Sequence, residues 1–379
     1  GHFDPGLISY IQYQYHQCHV TQPLLLEQLR EFGINISSGQ VNRILVDGNC
    51  YLHDEKDEIL NVGLAISSYI NTDDTGARHD GKNGYCTHVG NSFFAWFGST
   101  SSKSRINFLT LLQAGNVGFC LNDDAFEYFK REKLPLGIIS LLQDNGAFIF
   151  TEEEWKKHLE QLAIVAPRYV RIATEGALIG NLFRNGFNRD LVIISDDAGQ
   201  FNILLHALCW VHAERLIHKL VPYTDEQRVA LNEILDRIWN LYRALNQYRE
   251  NPTPTAKDDL EKEFDNIFQA ETCYLTLNIA LGRLFKNKKE LLLVLERPDI
   301  VIHNNASESD IREYVKRRKI SGGTRSDNGK KSRDTFTSLK KTARKLKVSF
   351  WKFLNDRNSG QNMIPRLGDL MREMALNTC

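Results

Sequence analysis

Leu191-Val192-Ile193-Ile194-Ser195-Asp196-Asp197 is the stretch on which the fold turns. Four apolar residues in a row, mostly β-branched and followed at once by carboxylates, read as a central strand buried on both faces. Residues 204–210 read as the next strand, running into a helix from about Val211. Upstream, 65–72 is strand-like and leads into Asp73-Asp74-Thr75-Gly76. Lys82-Asn83-Gly84 and Gly90-Asn91 are turn signals on either side of Tyr85-Cys86-Thr87-His88-Val89, and Phe93-Phe94-Ala95-Trp96-Phe97 follows. Three strands joined by two turns make an antiparallel meander, with Asp73 at the end of its first strand. Helical pieces are expected at 103–113, 125–132 and 152–163, and a short apolar run at 147–150.

Helices flank this α/β centre. Thr21 can cap a helix that carries Pro23 in its first turn and ends at Gly33; Ser37 or Ser38 can cap a second, 39–45. Two short helices with a Gly-containing turn between them form a helix-turn-helix pattern, with Gln40, Asn42 and Arg43 suited to base edges in a major groove. Many helical hairpins share that pattern. Thr224-Asp225-Glu226-Gln227 reads as a capping box, and Leu231, Ile234, Leu235, Ile238, Leu241, Tyr242 and Leu245 then repeat at helical spacing. Residues 222–301 are therefore an all-helical insertion. Helices at 306–319 and 332–347 and a polar tail close the chain.

The 379 residues, 42% apolar and 25% charged, allow a large core and exclude global disorder. No apolar run is long enough to span a bilayer and no signal pattern opens the chain. Seven scattered cysteines without a Cys-x-x-Cys pair speak against a disulfide framework and a zinc knuckle, and fit a reducing cytosol. The chain opens Gly1-His2-Phe3 with no Met, which reads as a trimmed start. Lys+Arg and Asp+Glu balance at 47 each, yet thirteen Lys/Arg against two Asp fall in 314–347. Such segregation points to a polyanion partner, with a solvated helix face as the plainer reading.

Asp73, Asp196 and Glu308, the last early in the helix after the insertion, are the candidate catalytic and metal-binding acids. Carboxylates converging at one sheet edge repel unless a divalent cation neutralises them. Two Mg²⁺ or Mn²⁺ ions, roughly 3.5–4 Å apart, can activate an attacking oxygen and stabilise a leaving one on a phosphodiester. Taken singly, each acid also reads as a helix cap or a solvated side chain.

Three local matches resemble a bacterial DDE-type transposase, that of insertion-sequence family sixty-six. They are Asp73-Asp74-Thr75-Gly76-Ala77-Arg78, Ser195-Asp196-Asp197-Ala198-Gly199-Gln200-Phe201 and Asn304-Asn305-Ala306-Ser307-Glu308-Ser309-Asp310-Ile311-Arg312. A fourth, Cys209-Trp210-Val211-His212-Ala213-Glu214-Arg215, resembles the family's Cys-Trp-x-His-x-x-Arg element; its plainer reading is a core Cys and Trp beside a satisfied His. The resemblance implies an RNase H-like catalytic core with a large all-helical insertion, preceded by a helix-turn-helix region. It implies metal-dependent cleavage at transposon ends and joining of 3′-OH ends to target DNA. Many relatives also carry a cysteine-bearing segment and a coiled-coil-like stretch ahead of the helix-turn-helix, and neither is in this sequence. Asp74 and Asp197 adjoin the chosen acids, and a one-residue slip would exchange strand faces.

The expected division is 1–60 helix-turn-helix-like, 61–221 first part of the core, 222–301 insertion, 302–355 third acid and basic segment, and 356–379 tail. Arg312, Lys316, Arg317, Arg318, Lys319, Arg325, Lys330 and Lys331 would grip phosphates, which sets register without reading sequence. Expected partners are double-stranded DNA (ends and target), a second copy on that DNA and accessory proteins of the element, in bacterial cytoplasm at the nucleoid and away from membranes. The alternatives are a catalytically silent DNA-binding descendant and a metal-dependent nuclease that cuts without joining.

Overall fold

In the computed structural model, which describes residues 3–143 and 149–377, four helices come first: α1 (Pro5–His16), α2 (Gln22–Glu31), α3 (Ser38–Val46) and α4 (Cys50–Ile66). Pro23 lies in the first turn of α2, where a missing N–H costs nothing. Ser37 caps α3 in a full capping box: its Oγ accepts from the Gln40 N–H while the Gln40 side chain accepts from the Ser37 N–H. Ile11, Leu25, Leu29, Ile36, Val41 and Leu45 make a core among α1, α2 and α3. Helix α4 continues through 65–66, where a strand was expected, so β1 (Tyr69–Gly76) begins later.

The hairpin β2 (Tyr85–Gly90) and β3 (Ala95–Thr100) follows in antiparallel register. Next come α5 (Arg105–Leu112), β4 (Phe119–Cys120), α6 (Asp123–Arg131), α7 (Leu136–Gln143), β5 (Ile149–Phe150), α8 (Glu152–Gln161) and α9 (Pro167–Arg184). Of the apolar run 147–150, residues 147–148 lie outside the described residues. The strands β6 (Val192–Ser195) and β7 (Leu205–Leu208) precede α10 (Trp210–His218), and the stretch 222–301 is helical: α11 (Asp225–Glu250), α12 (Pro254–Phe268), α13 (Leu275–Phe285) and α14 (Lys288–Leu291). The last helices are α15 (Asn305–Ser321), α16 (Asp327–Lys345), α17 (Phe350–Ser359) and α18 (Leu367–Leu376). The segment read as a polar tail is thus a correction: it holds α18, whose Leu367 and Met371 are fully buried. Among the described residues no helix is long and apolar enough to cross a membrane.

The chain forms two compact units: Gly1–Ser67, Asp74–Arg189 and Ser309–Cys379 make one, Ser68–Asp73 and Asp190–Glu308 the other. In the second unit the start of β1, β6 and β7 run parallel in that order. Val192 and Ile194 pack with Trp210, Leu231, Phe264 and Leu281 in one core, so the helical block covers this face of the strands. A strand buried beneath helices needs apolar residues throughout, which explains the unbroken Val192-Ile193-Ile194 run.

The first unit contains the end of β1, β2 and β3, and β3 is an edge strand. Edge N–H groups need cover, and α16 supplies it with polar side chains. Thr342 Oγ1, Ser338 Oγ and Asp334 Oδ2 accept from the N–H groups of Ala95, Phe97 and Ser99 at 3.1, 2.9 and 2.8 Å. Every second N–H of a strand recurs at about 6.8 Å and every fourth helical residue at about 6 Å, so the two ladders match. Replacing Ser338 by Ala should leave the buried Phe97 N–H unpaired and cost about 1–3 kcal/mol. Asp334→Ala should cost more, because Asp334 also accepts from Ser99 Oγ and Tyr314 Oη. Urea midpoints within error of the wild type for both variants would refute this account.

Candidate active site

The register of β1 on β6 pairs Tyr69 with Val192, Ile70 with Ile193 and Asn71 with Ile194. Carried two residues past its last pair, the same register aligns Asp73 with Asp196, the residue just after β6; Asp73 lies inside β1, which continues to Gly76, and not at its end as expected. The carboxyl edge of parallel strands is where open α/β sheets build their sites. Asp73 and Asp196 are both half-buried. Asp196 Oδ1 accepts from the Ala198 N–H at 3.2 Å, which turns the chain at the end of β6. Beside it, Ser195 Oγ meets His206 Nε2 at 2.8 Å; burial pushes the His206 imidazole down to about 4, so it stays neutral.

The acidic neighbours are engaged elsewhere. Exposed Asp197 pairs with Arg283 at 2.7 Å, and Asp74 accepts from Thr87 Oγ1.

Glu308 sits in the first turn of α15, and the segment leading to it is stitched to β1 and α10. Asn304, fully buried, donates from Nδ2 to the Thr72 carbonyl at 2.9 Å, and its N–H donates to Cys209 Sγ at 3.1 Å. Asn71 Nδ2 donates to the His303 carbonyl, and the Trp210 N–H to the Ile302 carbonyl. Asn71 and Asn304 were missed as site residues on the sequence; the paired asparagines ahead of a helix were the available signal.

Helix α10 splits the Cys-Trp-x-His-x-x-Arg element by face. Trp210, Ala213 and Ile217 enter the helical core, where Trp210 Nε1 donates to the Leu291 carbonyl at 2.8 Å. Burial pushes the Cys209 thiol up, so it is a packed acceptor rather than a thiolate ligand. His212 and Arg215 face Glu308: the Arg215 guanidinium bonds both carboxylate oxygens at 3.0 and 3.3 Å. Arg215 Nη1 also lies 3.3 Å from His212 Nε2. Because a guanidinium only donates, that nitrogen accepts, and its 3.5 Å approach to Glu308 is not a second hydrogen bond in this tautomer. A cavity of about 390 Å³ borders Asp196, Cys209, His212, Arg215 and Arg283.

Among the described residues no three His, Cys, Asp or Glu side chains stand together as a metal-holding group. The structure binds Glu308 to Arg215, and Asp73 is related to Asp196 by the β1–β6 register alone. The donor chemistry still suits a hard divalent cation, since all three acids offer oxygen and each is only half-buried.

The basic residues divide sharply. Arg312, Lys316, Lys319, Arg325 and Lys331 are exposed. Lys330 pairs with Asp327 at 2.8 Å, and Arg318 donates to the Gly76 carbonyl. Arg317 is buried against Tyr15. Lys340, Lys341 and Lys345, counted above toward a basic surface, turn inward onto Glu313 and Asp310. In α3, Arg43 is exposed, Gln40 is held in the capping box, and Asn42 Oδ1 accepts from Gln22 Nε2 at 3.2 Å.

Residues 183–332 match the model of the Transposase IS66 family. That span includes Asp196, the α10 element and Glu308, and begins after Asp73. The chain is also similar to "Uncharacterized protein y4jO" of Sinorhizobium fredii (strain NBRC 101917 / NGR234), 42% identical over 304 residues that cover 79% of this chain and 94% of that protein.

Proposed function

Because the chain belongs to the Transposase IS66 family, we propose that it is a DNA transposase that cleaves DNA at the ends of its element and joins the exposed 3′-OH to target DNA. The observation that carries this reading is the parallel register of β1 on β6, which extended by two residues aligns Asp73 with Asp196, with Glu308 delivered by a segment bonded to β1 and α10. The strand order, β3-β2-β1 with β2 and β3 antiparallel in one unit and parallel β1-β6-β7 in the other, supports an RNase H-like core. Asp73, Asp196 and Glu308 would hold two Mg²⁺ or Mn²⁺ ions, which when bound supply an activated attacking oxygen and a stabilised leaving oxygen. The chain's own part is positional. Asp196 is fixed by the Ala198 N–H, and Asn304 anchors the entry to α15. Arg215 holds the Glu308 carboxylate as a cationic placeholder and must release it for the three acids to act together.

Phosphate contacts fall to the exposed Arg312, Lys316, Lys319, Arg325 and Lys331, and base reading to Arg43 on the helix-turn-helix-like α2–α3 pair, with Gln40 and Asn42 beside it. Double-stranded DNA, a second copy of the chain bringing two ends together, and accessory proteins of the element are the partners of this reading, in the cytoplasm at the nucleoid. The test is incubation of the full chain with supercoiled plasmid and Mg²⁺ or Mn²⁺, with and without a labelled DNA end. Metal-dependent nicking and a labelled end covalently joined to plasmid are expected. Nicking without joined product would make the protein a nuclease; salt-sensitive DNA binding without nicking would make it a silent descendant.

A further inference from the structure

A cavity of about 510 Å³ in the first unit is lined by the α1–α2 turn, α3, the end of α15, the 321–326 loop and the start of α16. We propose that it binds one phosphate-bearing nucleotide, a nucleoside monophosphate unit turned out of DNA or free in solution. Its size falls in the range of roughly 300–1,000 Å³ typical of small-molecule sites.

Two buried guanidiniums carry the argument. Arg317 is 7% exposed: its Nη1 donates to the Tyr15 carbonyl at 2.9 Å, and its Nη2 has no hydrogen-bond partner among the described residues. Arg333 is 9% exposed: its Nη2 donates to Ser99 Oγ at 3.4 Å, and its Nε has no hydrogen-bond partner among the described residues, with Asp334 Oδ1 the nearest counter-charge at 3.8 Å. Buried donors are almost always satisfied, and leaving one unmade costs about 1–3 kcal/mol, more when charged. Two such forks lining one cavity fit an anion with several acceptor oxygens, and a phosphate matches their geometry best.

The balance of charge agrees. Arg317, Arg325, Arg333 and Lys340 line the cavity against one lining carboxylate, Glu313, with Asp334 behind Arg333 at 3.8 Å. The Glu313 carboxylate is already shared by His19 at 2.9 Å and Lys340 at 2.7 Å. The positive field shows on His16, whose imidazole is held well below its usual range by burial and by the charges of Arg317 and Lys340. The loop is itself pinned: the Thr324 N–H donates to the Arg78 carbonyl at 3.0 Å, and a side chain on Gly323 would strike that carbonyl.

The rest of the lining suits a base. Pro23 offers apolar surface, Tyr15 carries the Arg317 guanidinium on its ring at 3.7 Å, and Gln22 and Asn42, bonded to each other through Nε2 and Oδ1, retain the Gln22 Oε1 acceptor and the Asn42 Nδ2 donor for a base edge. A base removed from its stack costs a few kcal/mol, which an enclosed cationic pocket can offset.

The inference rests on the DNA-binding reading above but not on catalysis. The probe is a labelled duplex with a 5′-phosphorylated four-thymidine overhang, set against the blunt duplex by fluorescence anisotropy with the full chain. The overhang should bind at least tenfold tighter. Gln22→Glu adds a carboxylate at a half-exposed position and should cut that advantage below threefold, as should Arg333→Gln. Free dTMP abolishing the advantage would mark the pocket as open to free nucleotides; an advantage that survives dTMP would mark it as specific for DNA. Equal binding of both duplexes, or an advantage retained in Gln22→Glu, overturns the proposal. If neither duplex binds, the DNA reading fails instead. A rise in melting temperature with dTMP, seen in wild type and lost in Gln22→Glu, then still supports the pocket, and its absence overturns it.

Discussion

Asp196→Asn should lower metal-dependent nicking by roughly 10³-fold, the upper end of the loss when one electrostatic contact to a transition state is removed, about 10²–10³-fold. The substitution is isosteric and keeps an oxygen to accept from the Ala198 N–H, so the turn after β6 should survive. What it removes is charge at the position that the extended β1–β6 register aligns with Asp73. Asp197→Asn is the internal control. Asp197 is exposed and pairs with Arg283, an interaction worth about 0–1 kcal/mol, so nicking should change by less than about fivefold. The two adjacent variants therefore test register as well as chemistry. A loss in Asp197→Asn with activity intact in Asp196→Asn would mean that the site is built one residue later, on the opposite strand face. Equal nicking by both variants and the wild type would point to a contaminant nuclease.

Much of this edge was legible because parallel pairing writes itself into chain spacing. Asp73 and Asp196 lie as far apart in sequence as each paired residue of β1 and β6, so their alignment was readable even though β1 runs on to Gly76 rather than ending at Asp73. The helical stretch 222–301 was legible for another reason: its residues pack on one another, and such packing leaves a periodic apolar stripe. Helix α9 left a weak one. Gly176 and Gly180 lie in its interior because a side chain at Gly180 would strike the Cys120 carbonyl, and close approach looks from sequence like a poor helix.

Helix α16 misled in the opposite direction. Its Lys-rich, hydroxyl-rich sequence resembles a solvated basic face, yet Asp334, Ser338 and Thr342 are spent on the backbone of β3 and Lys340 and Lys341 on buried carboxylates. Polar cover for an edge strand needs no apolar stripe, so periodicity of hydrophobicity says nothing about it. The polyanion-facing charge is accordingly smaller than the count in 314–347 suggested, and resides in Arg312, Lys316, Lys319, Arg325 and Lys331. The same inward turn makes the cationic cavity beside Arg317 and Arg333, which no count of charges could reveal.

The second large effect is expected at Arg357, and it follows from the helices that replaced the expected tail. Arg357 on α17 donates to both oxygens of Glu55 on α4 at 2.8 and 3.0 Å, and to the carbonyls of Ile364 and Pro365 at 2.8 and 3.0 Å. Glu55 is 1% exposed, and it also accepts from the Leu367 N–H at 2.9 Å, so one carboxylate ties the start of α18 to a helix some three hundred residues earlier. Arg357→Leu would leave two buried carboxylates, Glu55 and the adjoining Asp356, without their cation and the two carbonyls without a donor, a loss of about 3–5 kcal/mol. For a unit of this size 1 kcal/mol corresponds to roughly 2–4 °C, so the melting temperature should fall by about 6–20 °C. The double variant Glu55→Leu/Arg357→Leu removes the Glu55 charge but leaves buried Asp356, which Arg357 Nη1 also contacts at 2.5 Å, without its cation, so it should recover only the Glu55 share of the loss. Melting curves at one scan rate decide it. A single variant within about 2 °C of wild type would show that residues 356–377 are held by Leu367 and Met371 alone. A double variant no better than the single would show that Asp356 and the carbonyls, rather than Glu55, are what Arg357 chiefly serves.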